Sequence, residues 1–181
     1  MFSVTISGPH GVGKSTYARY LSEKFNLKYV SAGTLFRSLA SEHQMSVEEF
    51  NRYCEENSSI DRMIDDRSRE LLERGGVVLD SLLAGWLAKD IENVYKIYLS
   101  APLKVRVERI ANRENKSYEV ALRETMSREE SERKRFLDFY GFDISDLSIY
   151  DLILNTALFP IELNLKILEV AVEAYIRSRG V

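Results

Sequence analysis

A chain of 181 residues is the usual size of one domain and is long enough to bury a sizeable core. Hydrophobic residues at 45%, charged residues at 29% and a net charge of -3 describe an ordinary globular composition, with no overall basic field to hold polymeric DNA or RNA. The single cysteine, Cys54, excludes an intramolecular disulfide and a cysteine-rich zinc site and fits a reducing cytoplasm.

The chain opens on Phe2-Ser3-Val4-Thr5-Ile6-Ser7, an apolar strand pattern with no basic segment ahead of it, and no apolar run approaches a membrane span. No targeting signal and no membrane segment are therefore expected. Directly behind the strand comes Gly8-Pro9-His10-Gly11-Val12-Gly13-Lys14-Ser15-Thr16, a full G-x-x-x-x-G-K-[ST] phosphate-binding loop. Its glycines let the backbone curl with N–H groups pointing inward, so that several donors and the positive end of the following helix converge on one phosphate. Lys14 adds a mobile cation for the β- and γ-phosphates, and the Ser15 hydroxyl is suited to ligate Mg2+. Residues Ser7 to Thr16 are thus the expected binding segment for a nucleoside triphosphate, with His10 read as a spacer within it.

Tyr17, Ala18, Leu21 and Phe25 recur at helical spacing, and Leu27 to Ser31 reads as a short strand, which completes one βαβ unit. Thr34 to Ser41 has an apolar side, Ser46-Val47-Glu48-Glu49 resembles a capping box for a helix through Glu56, and Ile60 to Arg74 is helical and dense with charge. Gly75-Gly76 precedes the buried strand Val77-Val78-Leu79, which ends in Asp80. Further strands are expected at Val94 to Leu99 and Tyr150 to Asn155, with helices after Ala101-Pro102 and from Pro160 to Arg177. Strands that alternate with helices predict an α/β three-layer fold with a parallel sheet, whose ligands sit beyond the carboxyl ends of the strands.

A phosphate loop does not by itself separate kinases from switches, motors or transport ATPases. The arginines carry the decision. Arg37, on the first helix after the second strand, is suited to hold an acceptor phosphate by bidentate hydrogen bonds. Arg128 to Arg135 carries four cations and three anions within eight positions, a density that alone reads as a solvated helix. Beside a phosphate loop it reads as a lid: Arg128 and Arg135 lie two helical turns apart and point from one face, so closure brings positive charge to the transferring group and expels water. Asp80 occupies the position of a carboxylate that holds Mg2+ or its water, with a cap or turn residue as the other reading. Asp61 and Arg62 are candidates for the edge of an acceptor base, with an exposed helix face as the alternative. Trp86, with Leu83 and Leu87, is read as core.

Six segments in order resemble the nucleoside monophosphate kinases, most closely the compact cytidylate kinases of the archaeal type: GPHGVGKST at 8–16, SAGTLFR at 31–37, IDRMIDDR at 60–67, LAGW at 83–86, REESERKR at 128–135 and YGFDISDLSIYDLILNT at 140–156. The resemblance implies a P-loop kinase fold over 1–181 with a five-stranded parallel sheet, a small monophosphate-binding helical insert at about 31–75 and an arginine-rich lid at about 113–140. It implies transfer of the γ-phosphoryl of ATP, with Mg2+, to CMP or dCMP, by a cytoplasmic monomer. Lys14, Arg128 and Arg135 then look catalytic, Arg37 looks like the acceptor-phosphate arginine, and Glu132 holds the inner acidic position of R-[DE]-x-x-[DE]-x-x-R, implicated in contacting cytosine. Many relatives carry arginine where Leu82 stands, so that either another cation, Arg62 or Arg67, replaces it or the acceptor is held less tightly; serine stands in bacterial relatives at the position of Ala32. The alternatives are an adenylate or uridylate kinase and, in another class, a nucleotide switch or ATPase; an RNA-binding lid is disfavoured by its interleaved acids and missing aromatics.

Overall fold

The computed structural model describes Met1 to Gly180, with Glu55 and Ser58 described by backbone alone, so that Val181 of the expected domain lies outside the described residues. Five parallel strands, β1 (Ser3–Ser7), β2 (Lys28–Ser31), β3 (Val77–Asp80), β4 (Val94–Ser100) and β5 (Leu152–Asn155), lie in the order β2-β3-β1-β4-β5. Every residue of β1 is buried because the strand is central and covered on both faces, which is why its sequence is apolar or small throughout. On one face α1 (Lys14–Lys24) and α8 (Ile161–Arg179) pack through Leu21, Leu168 and Val172 onto Val4 and Ile97. On the other, the short α5 (Ala84–Leu87) brings Trp86 and Leu87 against Leu72, Leu79 and Phe136. Trp86 stacks on Phe142 at 5.0 Å between ring centroids, as a core residue.

Between β2 and β3 stand α2 (Ala32–Glu42), α3 (Val47–Glu56) and α4 (Ser58–Arg74), which bury a small core of their own around Phe36, Phe50, Cys54 and Ile64. The capping box at the start of α3 is complete: Ser46 Oγ accepts from the Glu49 N–H and Glu49 Oε2 accepts from the Ser46 N–H. After β4, α6 (Leu103–Glu114) and the 23-residue α7 (Tyr118–Tyr140) form a helical hairpin packed through Val107, Ile110, Ala111 and Ala121. The left-handed Asn115 ends α6, and Ser117 caps α7 by accepting from the Val120 N–H.

The strand expected from Tyr150 begins only at Leu152. Tyr150 closes a turn onto Leu147 and puts its ring against Tyr98 and the backbone of Gly85, so its bulk is used in packing between layers.

Candidate functional site

β1 is flanked by β3 on one side and β4 on the other, so the chain leaves the sheet in opposite directions around its carboxyl end. That switch point opens into a cavity of about 1550 Å3, which runs from the loop before α1 across to the α2–α4 insert and under the α6–α7 hairpin.

The phosphate loop is fixed from behind. Gly8 has φ 138°, and a Cβ there would lie 2.2 Å from the Leu99 carbonyl oxygen, so only glycine lets the loop pass over the end of β4. Lys14 Nζ donates to the carbonyls of Gly8 at 2.6 Å and Pro9 at 3.1 Å, and burial lowers its pKa, with Asp80 acting in the opposite direction. His10, Gly11, Val12, Gly13, Ser15 and Thr16 line the cavity with Lys14. Ser7, Gly8 and Pro9, expected among the binding residues, do not line it: Ser7 Oγ is fully buried and accepts from the Gly85 N–H at 2.9 Å, so its side chain ties α5 to the sheet.

Asp80 ends β3 beside the loop. Its Oδ2 accepts from Ser15 Oγ at 2.6 Å and from the Tyr29 hydroxyl at 3.0 Å. Among the described residues no group of three His, Cys, Asp or Glu is arranged to hold a metal. One hydroxyl and one carboxylate, both hard oxygen donors, are a fitting set for Mg2+, which keeps its waters and takes substrate phosphate oxygens to complete six ligands.

The hairpin does more than overhang. His10 is no spacer: its Nε2 meets Glu132 Oε2 at 2.7 Å, its N–H donates to Glu129 Oε1 at 3.1 Å, and its carbonyl accepts from Arg106 Nη1 at 2.9 Å. Burial holds His10 below its ordinary pKa, with the Glu132 carboxylate acting in the opposite direction. Burial pushes the Glu132 carboxyl up, but the adjacent His10 and Arg128 outweigh it and hold it well below the usual carboxylate range. Arg128 Nε donates to Glu132 Oε1 at 2.9 Å, and its guanidinium lies 6.0 Å from the Phe36 ring. Glu132, expected at the acceptor base, is thus engaged by the phosphate loop and Arg128.

Arg135 is more deeply buried, at 2% exposure, and joins the hairpin to the insert. Its Nε donates to Asp61 Oδ2 at 2.8 Å, its Nη1 to the Asn51 carbonyl at 3.2 Å, and its Nη2 to Asn51 Oδ1 at 3.3 Å. Arg37 is exposed at the cavity wall, where Nη2 donates to Thr34 Oγ1 at 3.2 Å. Arg37, Arg128, Arg135, Asp61, Asp80 and Glu132 therefore share one cavity although they come from four parts of the chain.

Arg62 does not join them. Helical periodicity turns Asp61, Ile64 and Asp65 inward, so Arg62 and Arg67 line a separate shallow groove on the outer side of α4 and neither replaces the arginine absent at Leu82. Arg19 and Arg52 line the main cavity instead.

A family model described as the cytidylate kinase-like family matches residues 3–158. The chain belongs to this family. Among its curated relatives, the cytidylate kinase of Haloquadratum walsbyi is 49% identical over 173 residues, covering 95% of this chain and 90% of that one. The cytidylate kinase of Staphylothermus marinus is 42% identical over 178 residues, covering 98% of this chain and all of the other, at 100%. Among solved structures, a gluconokinase from Sinorhizobium meliloti (TM-score 0.62, 14% identity, 98% and 97% coverage) and a shikimate kinase from Acinetobacter baumannii (TM-score 0.60, 16% identity, 96% and 94% coverage) share the fold.

Within the cytidylate kinase-like fold, sequence reasoning missed Tyr29, Asn51, Asp65, Arg106, Arg109 and Glu129. Arg109 Nη1 donates to the Gly11 carbonyl at 3.4 Å and to Thr156 Oγ1 at 3.0 Å, so it steadies the loop from α6. Arg106 and Arg109 are one turn apart on an otherwise amphipathic helix, which was the available signal; the lone Asn51 offered none.

Proposed function

We propose that this protein transfers the γ-phosphoryl group of ATP to the 5′-phosphate of CMP, and of dCMP, releasing ADP and the cytidine diphosphate. The observation that carries the reading is one continuous cavity that joins a nucleotide-phosphate loop to an insert wall bearing Arg37, beneath a hairpin bearing Arg128. A switch or simple ATPase needs only the first half of that cavity.

The acceptor is a phosphate oxygen already largely ionised at neutral pH, so no strong general base is required, and positioning with charge neutralisation supplies most of the rate. The loop N–H groups and the start of α1 bind the β-phosphate of the donor. Lys14, now resting on the Gly8 and Pro9 carbonyls, moves its ammonium onto the phosphate oxygens. Ser15 and Asp80 would hold Mg2+, which when bound neutralises charge on the donor phosphates. Arg37 orients the acceptor phosphate, and Arg128 supplies positive charge from above. Closure of α6 and α7 over the cavity excludes water and so suppresses hydrolysis. The working unit in this reading is a monomer. A chain whose single cysteine, Cys54, stays a free buried thiol is compatible with a reducing cytoplasmic setting, the location this reading assigns.

The test is to incubate the protein with ATP and a single monophosphate and to separate the nucleotides by chromatography. CDP formed in step with ADP is expected; ADP without any diphosphate product from CMP, dCMP, UMP or AMP overturns the reading.

A further inference from the structure

We propose that Asn51 reads the acceptor base, its side-chain amide N–H donating to the ring N3 of cytosine and thereby selecting cytosine over uracil. The inference rests on the kinase reading above and adds a residue to it. Asn51 is 3% exposed on α3 yet lines the main cavity, and its Nδ2 is buried with no hydrogen-bond partner among the described residues. A buried amide donor is left unpaired at a cost to the fold, which a bound ligand acceptor removes.

Which atom faces the cavity is fixed chemically. The guanidinium of Arg135 has donors only, and two of them reach Asn51, Nη1 to the main-chain carbonyl at 3.2 Å and Nη2 to Oδ1 at 3.3 Å. Turning the amide over would set N–H against N–H, so the oxygen stays on Arg135 and Nδ2 is presented as a donor. The same guanidinium holds Asp61 through Nε, so an acceptor and a donor are held on one rigid frame at the cavity wall. Arg135 is the positioning residue for both. Phe36 and Ile64 supply apolar surface to the same cavity.

A donor beside an acceptor is complementary to an edge with a ring-nitrogen acceptor next to an exocyclic amino group. Cytosine has that edge at N3 and N4. Uracil inverts it, with N3–H and O4, and would set donor against donor at Asn51. Sites built to hydrogen-bond one edge discriminate strongly against analogues that leave a buried group unpaired.

The test compares CMP, UMP and 3-deaza-CMP, in which a C–H replaces N3, on the wild-type chain and on Asn51→Asp, with kcat/KM for each acceptor and KM for ATP. The expected wild-type result is that 3-deaza-CMP falls on the order of 100-fold below CMP. In Asn51→Asp that gap closes and the CMP-to-UMP ratio contracts by at least about 10-fold, with the KM for ATP unchanged. A merely structural Asn51 would lower all acceptors by one factor, and that outcome, or equal use of CMP and 3-deaza-CMP by the wild-type chain, overturns the proposal. If Asn51→Asp does not fold, the 3-deaza comparison on the wild-type chain decides alone. Failure of the kinase reading shows separately, as no CDP from the wild-type chain. In that case equilibrium binding of CMP against 3-deaza-CMP decides the Asn51 assignment, and equal affinities overturn it.

Discussion

Ser15 and Asp80, 65 positions apart, are joined by a 2.6 Å hydrogen bond from Oγ to Oδ2, which sets the phosphate-loop hydroxyl beside the carboxylate at the end of β3. Asp80→Asn keeps an acceptor for Ser15 and Tyr29 but removes the charge. We expect the Mg2+ concentration for half-maximal turnover to rise by roughly 10- to 100-fold, with the chain still folded. A Mg2+ titration of turnover measures this, and an unchanged midpoint would remove Asp80 from the metal site.

The two hairpin arginines separate by what they touch. Arg128 is partly exposed over the loop, so Arg128→Ala is expected to lower kcat by roughly 100- to 1000-fold while the KM for ATP moves little. Steady-state kinetics with each substrate varied in turn measure the split.

Arg135→Ala leaves Asp61 buried and unpaired and is expected to destabilise the chain by about 3–5 kcal/mol, besides any loss of turnover. Urea unfolding of this variant against Arg128→Ala, which leaves Glu132 its His10 partner and is expected to cost less, checks the assignment.

Those same residues mark how far the sequence could be read. The phosphate loop was legible because its chemistry depends on consecutive residues, and the strands because buried parallel strands read as apolar runs: Val77 to Asp80 appears where expected, as a buried parallel strand. Spacing on a helix told that Arg128 and Arg135 share a face, but not that Asp61 from α4 and Asn51 from α3 already occupy one of them. Likewise nothing local in His10 announces a contact with Glu132, 122 positions away, because such pairing is decided by how the hairpin docks. Arg62 shows the reverse: the choice between inward Asp61 and outward Arg62 needed the helix phase, which the insert core around Ile64 sets.

Asp65 is buried against the insert and accepts from the Tyr140 hydroxyl at 2.8 Å. Burial pushes its pKa up to about 7, against the pull of that hydrogen bond. The folded chain therefore keeps a proton that the unfolded chain has released, and this group's contribution to stability is lost as pH rises from about 4 to about 7. Asp65→Asn keeps the acceptor for Tyr140 and has no proton to lose. Its stability relative to wild type should improve by on the order of 2–4 kcal/mol between about pH 4 and pH 8, measured as the difference in urea unfolding at the two values.

At Gly85 a Cβ would lie 2.2 Å from Cε1 of Tyr150. Gly85→Ala is expected to cost about 1–3 kcal/mol, and adding Tyr150→Ala should relieve the clash, so a double-mutant cycle in thermal unfolding should show strong coupling.

The central claim is that one cavity holds two nucleotides with their phosphates facing each other. It is tested most directly by calorimetric titration with a bisubstrate analogue in which adenosine and cytidine are joined 5′ to 5′ through a polyphosphate chain. The account predicts one molecule bound per chain, far more tightly than ATP or CMP alone, competitive with both, and weakened by both Lys14→Ala and Arg37→Ala. Competition with ATP alone, at an affinity no better than that of ATP, would contradict it.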